Sequence, residues 1–346
     1  MCPGRGSYNA AELNTLGRLP HEPLWRPLVA AADARCTAAG LSSISSLDAE
    51  PKLNKALHFE AAHASTLIYT LAAAEYAALR AEDAWEPIGF VGNSLGWYTA
   101  AHLAGCYSFE QGLDVVIGTG GYQRSVGAVG GQVVYPTLDD EWREGDGGLQ
   151  RAVDAALVEA SKVGFASLSI DLGGMAVLAA DAPGMAALKA ALPPISRSSV
   201  RFPMELPGHS AFHTPLMGPM AEHIRDAQAA TPPFCAPQLP LVDGSGRVWR
   251  PGSDREGAWM PAALREYTFG EQIVSPYRFG LSLEIALDEW EPDLIVLLGP
   301  GASLGGAIGQ ILSRKGWRGV ASKAEFAGVQ QSATPILLTS PAAAVR

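Results

Sequence analysis

The chain has 346 residues, 48% hydrophobic and 17% charged, enough for a sizeable core in one large domain or two smaller ones. A formal net charge of −10 argues against whole-chain attraction to nucleic acid, which needs a basic field, and no apolar run reaches the roughly 18 residues of a membrane helix. The opening residues lack the apolar core of a signal peptide, so the cytoplasm is the expected compartment. Four cysteines (Cys2, Cys36, Cys106, Cys235) lie far apart without a CxxC, and no HExxH or comparable spacing occurs, so neither a disulfide framework nor a metal is expected.

In chain order, Asn54 to Arg80 is rich in Ala and Leu and free of Gly and Pro, which predicts one long, mostly buried helix. Glu86 to Gly92 reads as a short buried strand after a proline, and the segment closing on Gly105 as a helix. A further helix follows with Ser108 at its N-cap. From Gly130 to Glu205 the segments GQVVYP, GLQRAVDAALVEASKVG, FASLSIDL, GMAVLAAD, PGMAALKAALPP and SVRFPMEL read as strand, helix, strand, strand, helix, strand, a ferredoxin-like βαββαβ order. Beyond it come a helix from His213, a strand at LPLVDGSG, and a buried strand, Gly-rich turn and helix between Pro292 and Gly316. The expected fold is α/β: an α/β-hydrolase-like large domain with a short parallel sheet (1–128 and 206–330), an inserted ferredoxin-like subdomain (129–205) and a C-terminal tail (331–346).

The segment GFVGNSLGWYTAAHLAG, Gly89 to Gly105, carries Gly-x-Ser-x-Gly around Ser94 in a strand-turn-helix context. Flanking glycines allow a sharp bend that projects the serine, and the free N–H groups of the following helix suit a developing oxyanion. The competing reading is a serine that merely caps a helix. A nucleophilic serine needs a base, and there are seven histidines: His21, His58, His63, His102, His209, His213 and His223. His58, His63 and His102 lie in Ala-rich helices, where structural roles suffice. His213 lies where the chain leaves the subdomain, a place where clefts form, and His209 is its competitor.

Four stretches resemble, in order, motifs of the malonyl-CoA:acyl carrier protein transacylases and the acyltransferase domains of polyketide and fatty acid synthases. VGNSLGWYTAAHLAG resembles GHSLGEYSALxxAG, AFHTPLM resembles FHSPLM, LLGPG (Leu297 to Gly301) resembles VGPG, and CPGRGSY (Cys2 to Tyr8) resembles FPGQGSQ. The resemblance implies transfer of an acyl group from acyl-CoA, as substrate and without a bound cofactor, to the phosphopantetheine thiol of a holo acyl carrier protein. It makes Ser94 the nucleophile, His213 the general base and the carbonyl of Gln272, in EQIVSPYRF, the group that orients the histidine. The N–H groups of Leu95 and Arg5 would form the oxyanion hole, with Asn93, Trp97, Thr119 and Gly120 lining the substrate site. A monomer is expected, with no nucleic acid and no membrane among its partners.

The departures bear on specificity. Malonyl-using members carry an arginine 25 residues after the serine; here that position is Thr119, which predicts a neutral acyl group, with Arg5 or Arg201 as substitute cations. Arg124 is five positions further and is expected to point elsewhere. Asn93, Trp97 and Arg5 replace the family's histidine, glutamate and glutamine. Trp97 is expected either to narrow or roof the pocket or simply to pack. Only Met1 and Cys2 precede the opening loop, so the resemblance implies a start assigned too late or a sheet short of one strand. Arg18 and Arg26, Lys52 and Lys55, or Arg201 are candidates for a carrier-docking face, against the simpler reading of scattered solvated charges. An acyl-carrier-protein hydrolase of the same fold, and an inactive carrier-binding scaffold, are the alternative functions.

Overall fold

In a computed structural model, residues 1–81, 85–197, 200–252 and 259–340 are described. The helix Ala61–Leu79 runs through the core, and every residue in it except Tyr76 and Ala77 is buried. Its alanines and the glycines of the helix Phe109–Val126 let the two pack closely: a Cβ on Gly120 would lie 2.3 Å from the Ala62 Cα. The helix Glu22–Ala38 packs on the same core helix. The single helix expected over Asn54–Arg80 is interrupted. A short turn, Lys55–His58, ends before Glu60, whose carboxylate accepts from the N–H groups of Ala62 (3.1 Å) and His63 (3.0 Å) and so starts a new helix.

The strands form a three-stranded sheet, a five-stranded sheet and two two-stranded sheets, and one of the pairs is joined to the three-stranded sheet through Met1 and Cys2. In the first, Phe90–Val91 pairs in parallel with Leu241–Val242, which pairs antiparallel with Val248–Trp249. Ile295–Leu297 pairs in parallel with Leu337–Thr339. Met1 and Cys2 stitch these halves together. The Met1 amine donates to the Val296 carbonyl (2.8 Å) and the Leu298 N–H to the Met1 carbonyl (3.0 Å). The Cys2 N–H donates to Val91 (2.9 Å) and the Asn93 N–H to Cys2 (3.0 Å). The position expected to lack a strand is thus bridged at these two residues. The strand Leu337–Thr339 corrects the reading of 331–346 as a tail without structure, since apolar Ile336 and Leu337 are buried against the sheet; residues 341–346 lie outside the described residues.

The second sheet holds the strands Tyr277–Arg278, Ala166–Asp171, Met175–Ala180, Gly131–Pro136 and Met204–Glu205, in that spatial order. The first pair is parallel and the rest are antiparallel. With the helices Gly148–Ala160 and Ala182–Ala191, residues 131–205 follow the expected strand, helix, strand, strand, helix, strand succession. Two features depart from it. The segment read as one last strand is split, Val200–Phe202 pairing with Ile195–Arg197 as a separate hairpin, and Tyr277–Arg278 is a fifth strand contributed from beyond the insertion. That fifth strand couples the two sheets: the Tyr277 hydroxyl donates to the Gly92 carbonyl (2.7 Å) at the end of Phe90–Val91.

Candidate active site

Ser94 sits between the strand Phe90–Val91 and the helix Gly96–Leu103 with φ of 55°, a left-handed conformation uncommon for a residue with a side chain. The bend leaves no room for side chains beside it. A Cβ on Gly92 would lie 2.2 Å from the Gly96 carbonyl oxygen, and one on Gly96 would lie 2.1 Å from that of Cys2. The opening loop is pressed against the turn, since a Cβ on Gly4 would fall 2.8 Å from the Asn93 carbonyl oxygen. The LLGPG turn braces this loop from the other side, with a Cβ on Gly301 placed 2.3 Å from the Ser7 carbonyl oxygen.

His213, also left-handed at φ 59°, is 2% exposed and lies at the exit of the subdomain. Its Nε2 is 2.7 Å from the Ser94 Oγ, and its Nδ1 is 2.7 Å from the Gln272 carbonyl. A carbonyl only accepts, so Nδ1 carries the proton and Nε2 is left to accept from the serine hydroxyl. Burial lowers the His213 pKa to about 4, with the Gln272 carbonyl opposing the shift, so the ring is neutral near pH 7. A neutral imidazole facing a serine hydroxyl at this distance has the geometry to accept its proton.

Gln272, from the short helix Glu271–Val274, reaches both partners. Besides its carbonyl, its side-chain Nε2 donates to the Ser94 carbonyl (3.1 Å), and its Oε1 accepts from the Tyr98 hydroxyl (2.9 Å). The His213 N–H donates to Ile273 (2.9 Å), and the Tyr277 ring lies 5.3 Å from the imidazole. The side-chain roles of Gln272, Tyr98 and Tyr277 were not legible in the sequence, because they follow from packing between elements far apart in the chain. Among the described residues, the N–H groups of Leu95 and Arg5 make no hydrogen bond, which leaves both free to donate.

The residues expected to line the substrate site divide. Asn93 is buried beside the opening loop with its Oδ1 unpartnered. Thr119 is buried and donates its hydroxyl to the Val116 carbonyl (3.1 Å) on its own helix. Gly120 faces Ala61 and Ala62 rather than a ligand, because the two helices cross there. Trp97 is fully buried, donates from its indole nitrogen to the Thr268 hydroxyl (3.0 Å) and meets Tyr267 edge-on. Of the two expected readings it takes the second: on the helix after Ser94 its direction is inward, and it packs behind the turn.

Arg5 turns toward the helix Phe109–Val126 and the subdomain exit. Its guanidinium donates to the Gln123 Oε1 (3.1 Å) and the Gly208 carbonyl (3.3 Å) and lies over the Phe212 ring (5.9 Å). Gln123 also donates to Gly208 (2.6 Å); it stands four residues after Thr119, a spacing that could have flagged it as a neighbour on the same helix face. Arg124 instead lines a separate surface cavity of about 550 Å³ with Gly40, Ala62 and Gly121, pointing away as expected. His209 is a structural residue, its Nδ1 2.9 Å from the Gln132 Oε1, and burial holds its pKa well below the ordinary value. Of the docking candidates, Arg26 is paired with Glu22, and Arg18 is folded onto the Leu13 carbonyl (2.7 Å). No group of residues suited to a metal ion occurs among the described residues, and none of their helices is long and apolar enough to cross a membrane.

No protein-family model matches the chain. Among curated proteins it is 29% identical over 238 residues to the polyketide synthase GfsB of Streptomyces halstedii, matching 68% of this chain and spanning only 4% of that protein's length. Among solved structures, it superposes on the acyl-carrier-protein S-malonyltransferase of Burkholderia pseudomallei 1710b with a TM-score of 0.71 and 23% identity, covering 90% of this chain and 91% of that one. A type II polyketide synthase acyl-carrier protein in complex with its malonyl-transacylase matches with a TM-score of 0.70 and 20% identity, over 90% and 91% of the two chains. The resemblance read from four short motifs therefore extends, as a fold, over nine-tenths of the chain: this protein has the fold of the malonyl-CoA:acyl carrier protein transacylases.

Proposed function

We propose that the protein is an acyltransferase that moves an acyl group from acyl-CoA to the phosphopantetheine thiol of an acyl carrier protein through an acyl-serine intermediate. The observation that carries this reading is the Ser94 Oγ at 2.7 Å from an imidazole nitrogen whose ring is held in the accepting tautomer. His213 Nε2 takes the hydroxyl proton as Oγ attacks the thioester carbon. The N–H groups of Leu95 and Arg5 hold the oxyanion. Collapse breaks the carbon–sulfur bond, and the departing thiolate takes the proton from Nε2. The second half runs in reverse order: the carrier thiol gives its proton to His213 and attacks the acyl-serine, and the serine oxygen recovers a proton as it leaves.

The carrier as acceptor is supported by the fold shared with a transacylase bound to its carrier protein. Intact-mass measurement after exposure to a panel of acyl-CoAs tests the first half. An adduct whose mass names the acyl group is expected on the native protein and absent from Ser94→Ala. Adding holo carrier protein tests the second half: acylated carrier supports transfer, whereas free acid with no acylated carrier means a hydrolase. An unmodified Ser94 across the panel, with carrier still bound, leaves only a scaffold.

A further inference from the structure

We propose that Glu75 is a positioning residue for the reaction: a buried carboxylate of the core helix that holds the opening loop, and with it the Arg5 N–H, in place beside Ser94. The inference deepens the acyltransferase reading and rests on it. Glu75 is 2% exposed, in a stretch of the helix Ala61–Leu79 where Ala72, Ala73, Ala74, Ala78 and Leu79 are buried as well. A carboxylate is costly to desolvate, so one kept in such a setting needs a donor to hold. Its Oε2 accepts from the Gly299 N–H, 224 residues away in the chain. Gly299 leaves space for that oxygen, since a Cβ there would lie 3.0 Å from it and 3.2 Å from the Ser340 Oγ.

The bond reaches the site through backbone contacts. Leu298 donates to the Met1 carbonyl (3.0 Å) and Gly299 to Glu75, so the turn from Gly299 to Gly301 is held at two consecutive residues. At its far end Gly301, with φ of 72°, abuts the Ser7 carbonyl, from which a Cβ would be only 2.3 Å away. The opening loop is thus clamped between this turn at Ser7 and the Ser94 bend, where a Cβ on Gly4 would lie 2.8 Å from the Asn93 carbonyl oxygen. Arg5 stands between the two contacts with its N–H unbonded. Close-packed backbone passes a displacement on rather than absorbing it. An oxyanion donor works only at hydrogen-bond distance from where the charge develops. Glu75 therefore sets, from behind the loop, how near the Arg5 amide comes to the reacting oxygen, without touching substrate itself.

The test compares Glu75→Met, which removes the acceptor at similar volume, with Glu75→Gln, which keeps an accepting oxygen for the Gly299 N–H. Two rates are read by intact mass: acyl-serine formation from an acyl-CoA that loads the native protein, and phosphonylation of Ser94 by a fluorophosphonate, with loss of fluoride. The phosphoryl oxygen of that probe uses the same amides and needs no thioester. Glu75→Met is expected to slow both by about tenfold to a hundredfold, less than the roughly 10²–10³ of losing an oxyanion donor outright. Acyl-CoA affinity, measured by calorimetry with Ser94→Ala in place, should change by less than about twofold, because the amide acts on the transition state. Glu75→Gln should recover most of both rates. Cooperative thermal unfolding checks each variant; if Glu75→Met does not fold, Glu75→Asp, which withdraws the carboxylate by one methylene, takes its place. A merely structural Glu75 would lower the unfolding midpoint and leave the rates of folded protein alone, and that result overturns the inference. So does a loss as large in Glu75→Gln as in Glu75→Met, which would assign the effect to charge rather than to the bond. Acyl-serine formation equal in native and folded Glu75→Met protein sinks the positioning role and leaves the acyltransferase. Phosphonylation that depends on Glu75, with no acyl adduct from any acyl-CoA, sinks the acyltransferase and leaves the positioning role.

Discussion

Around Ser94 the polar side chains of His213, Gln272, Tyr98 and Tyr277 are all hydrogen-bonded, whereas at the opening loop and the start of the core helix Arg5 Nε, Asn93 Oδ1 and Glu60 Oε1 are buried without partners. The first arrangement is complete before any substrate arrives. Its geometry is fixed by bonds from four separate segments, so a hydroxyl and a neutral base are held at reacting distance at no further cost in ordering. The second leaves one donor and two acceptors desolvated and unpaired, which is unfavourable.

Replacing His213 by Ala should break the complete wall most severely. Loss of acyl-serine formation on the order of 10⁴-fold is expected, read as the rate of adduct formation by mass. The same wall fixes the pH response. The base must be neutral, and its pKa is lowered to about 4, so log kcat/KM should stay flat through the ordinary histidine range and fall only as pH drops below about 4. A break near pH 6.5 would show a solvated imidazole and defeat the idea that this wall is closed to water.

Gln272→Leu sharpens the comparison, because it removes the side-chain bonds to Ser94 and Tyr98 while keeping the backbone carbonyl that orients His213. A loss of about 1–3 kcal/mol in stability is expected by denaturant unfolding, because the Tyr98 hydroxyl is left unpaired, with a fall in kcat larger than any rise in KM. The smallest effect is expected at Trp97. Trp97→Phe should cost about 1 kcal/mol through the lost bond to Thr268 and leave acyl selectivity untouched. A changed ratio of acyl-CoAs in that variant would return Trp97 to the pocket wall.

Much of this was legible in the chain itself, where the signal is local. The bend at Ser94 follows from two glycines with no room for a Cβ, and the strand and helix around it from composition. The pairing of Ser94 with His213 follows from motifs 119 residues apart that the structure brings to 2.7 Å. What was misread or left open depended on direction or on distant partners. Which of its two readings Trp97 takes is decided by the core it faces, Gly120 sits at a helix crossing against Ala61 and Ala62, and Leu337–Thr339 becomes a strand only because Ile295–Leu297 offers an open edge.

The sequence by itself determined the turn, the setting of Ser94, the order of elements in the insertion and the absence of a cation at position 119, since each depends on neighbours within a few residues or on the identity of one side chain. Only the tertiary structure decided which side chains complete the base, where Met1 and Cys2 join the sheet, and that Arg5 crosses to Gln123 and Gly208. Those outcomes depend on the direction of side chains and on which backbone groups are left unpaired once distant segments pack, and neither is written in any short stretch of chain.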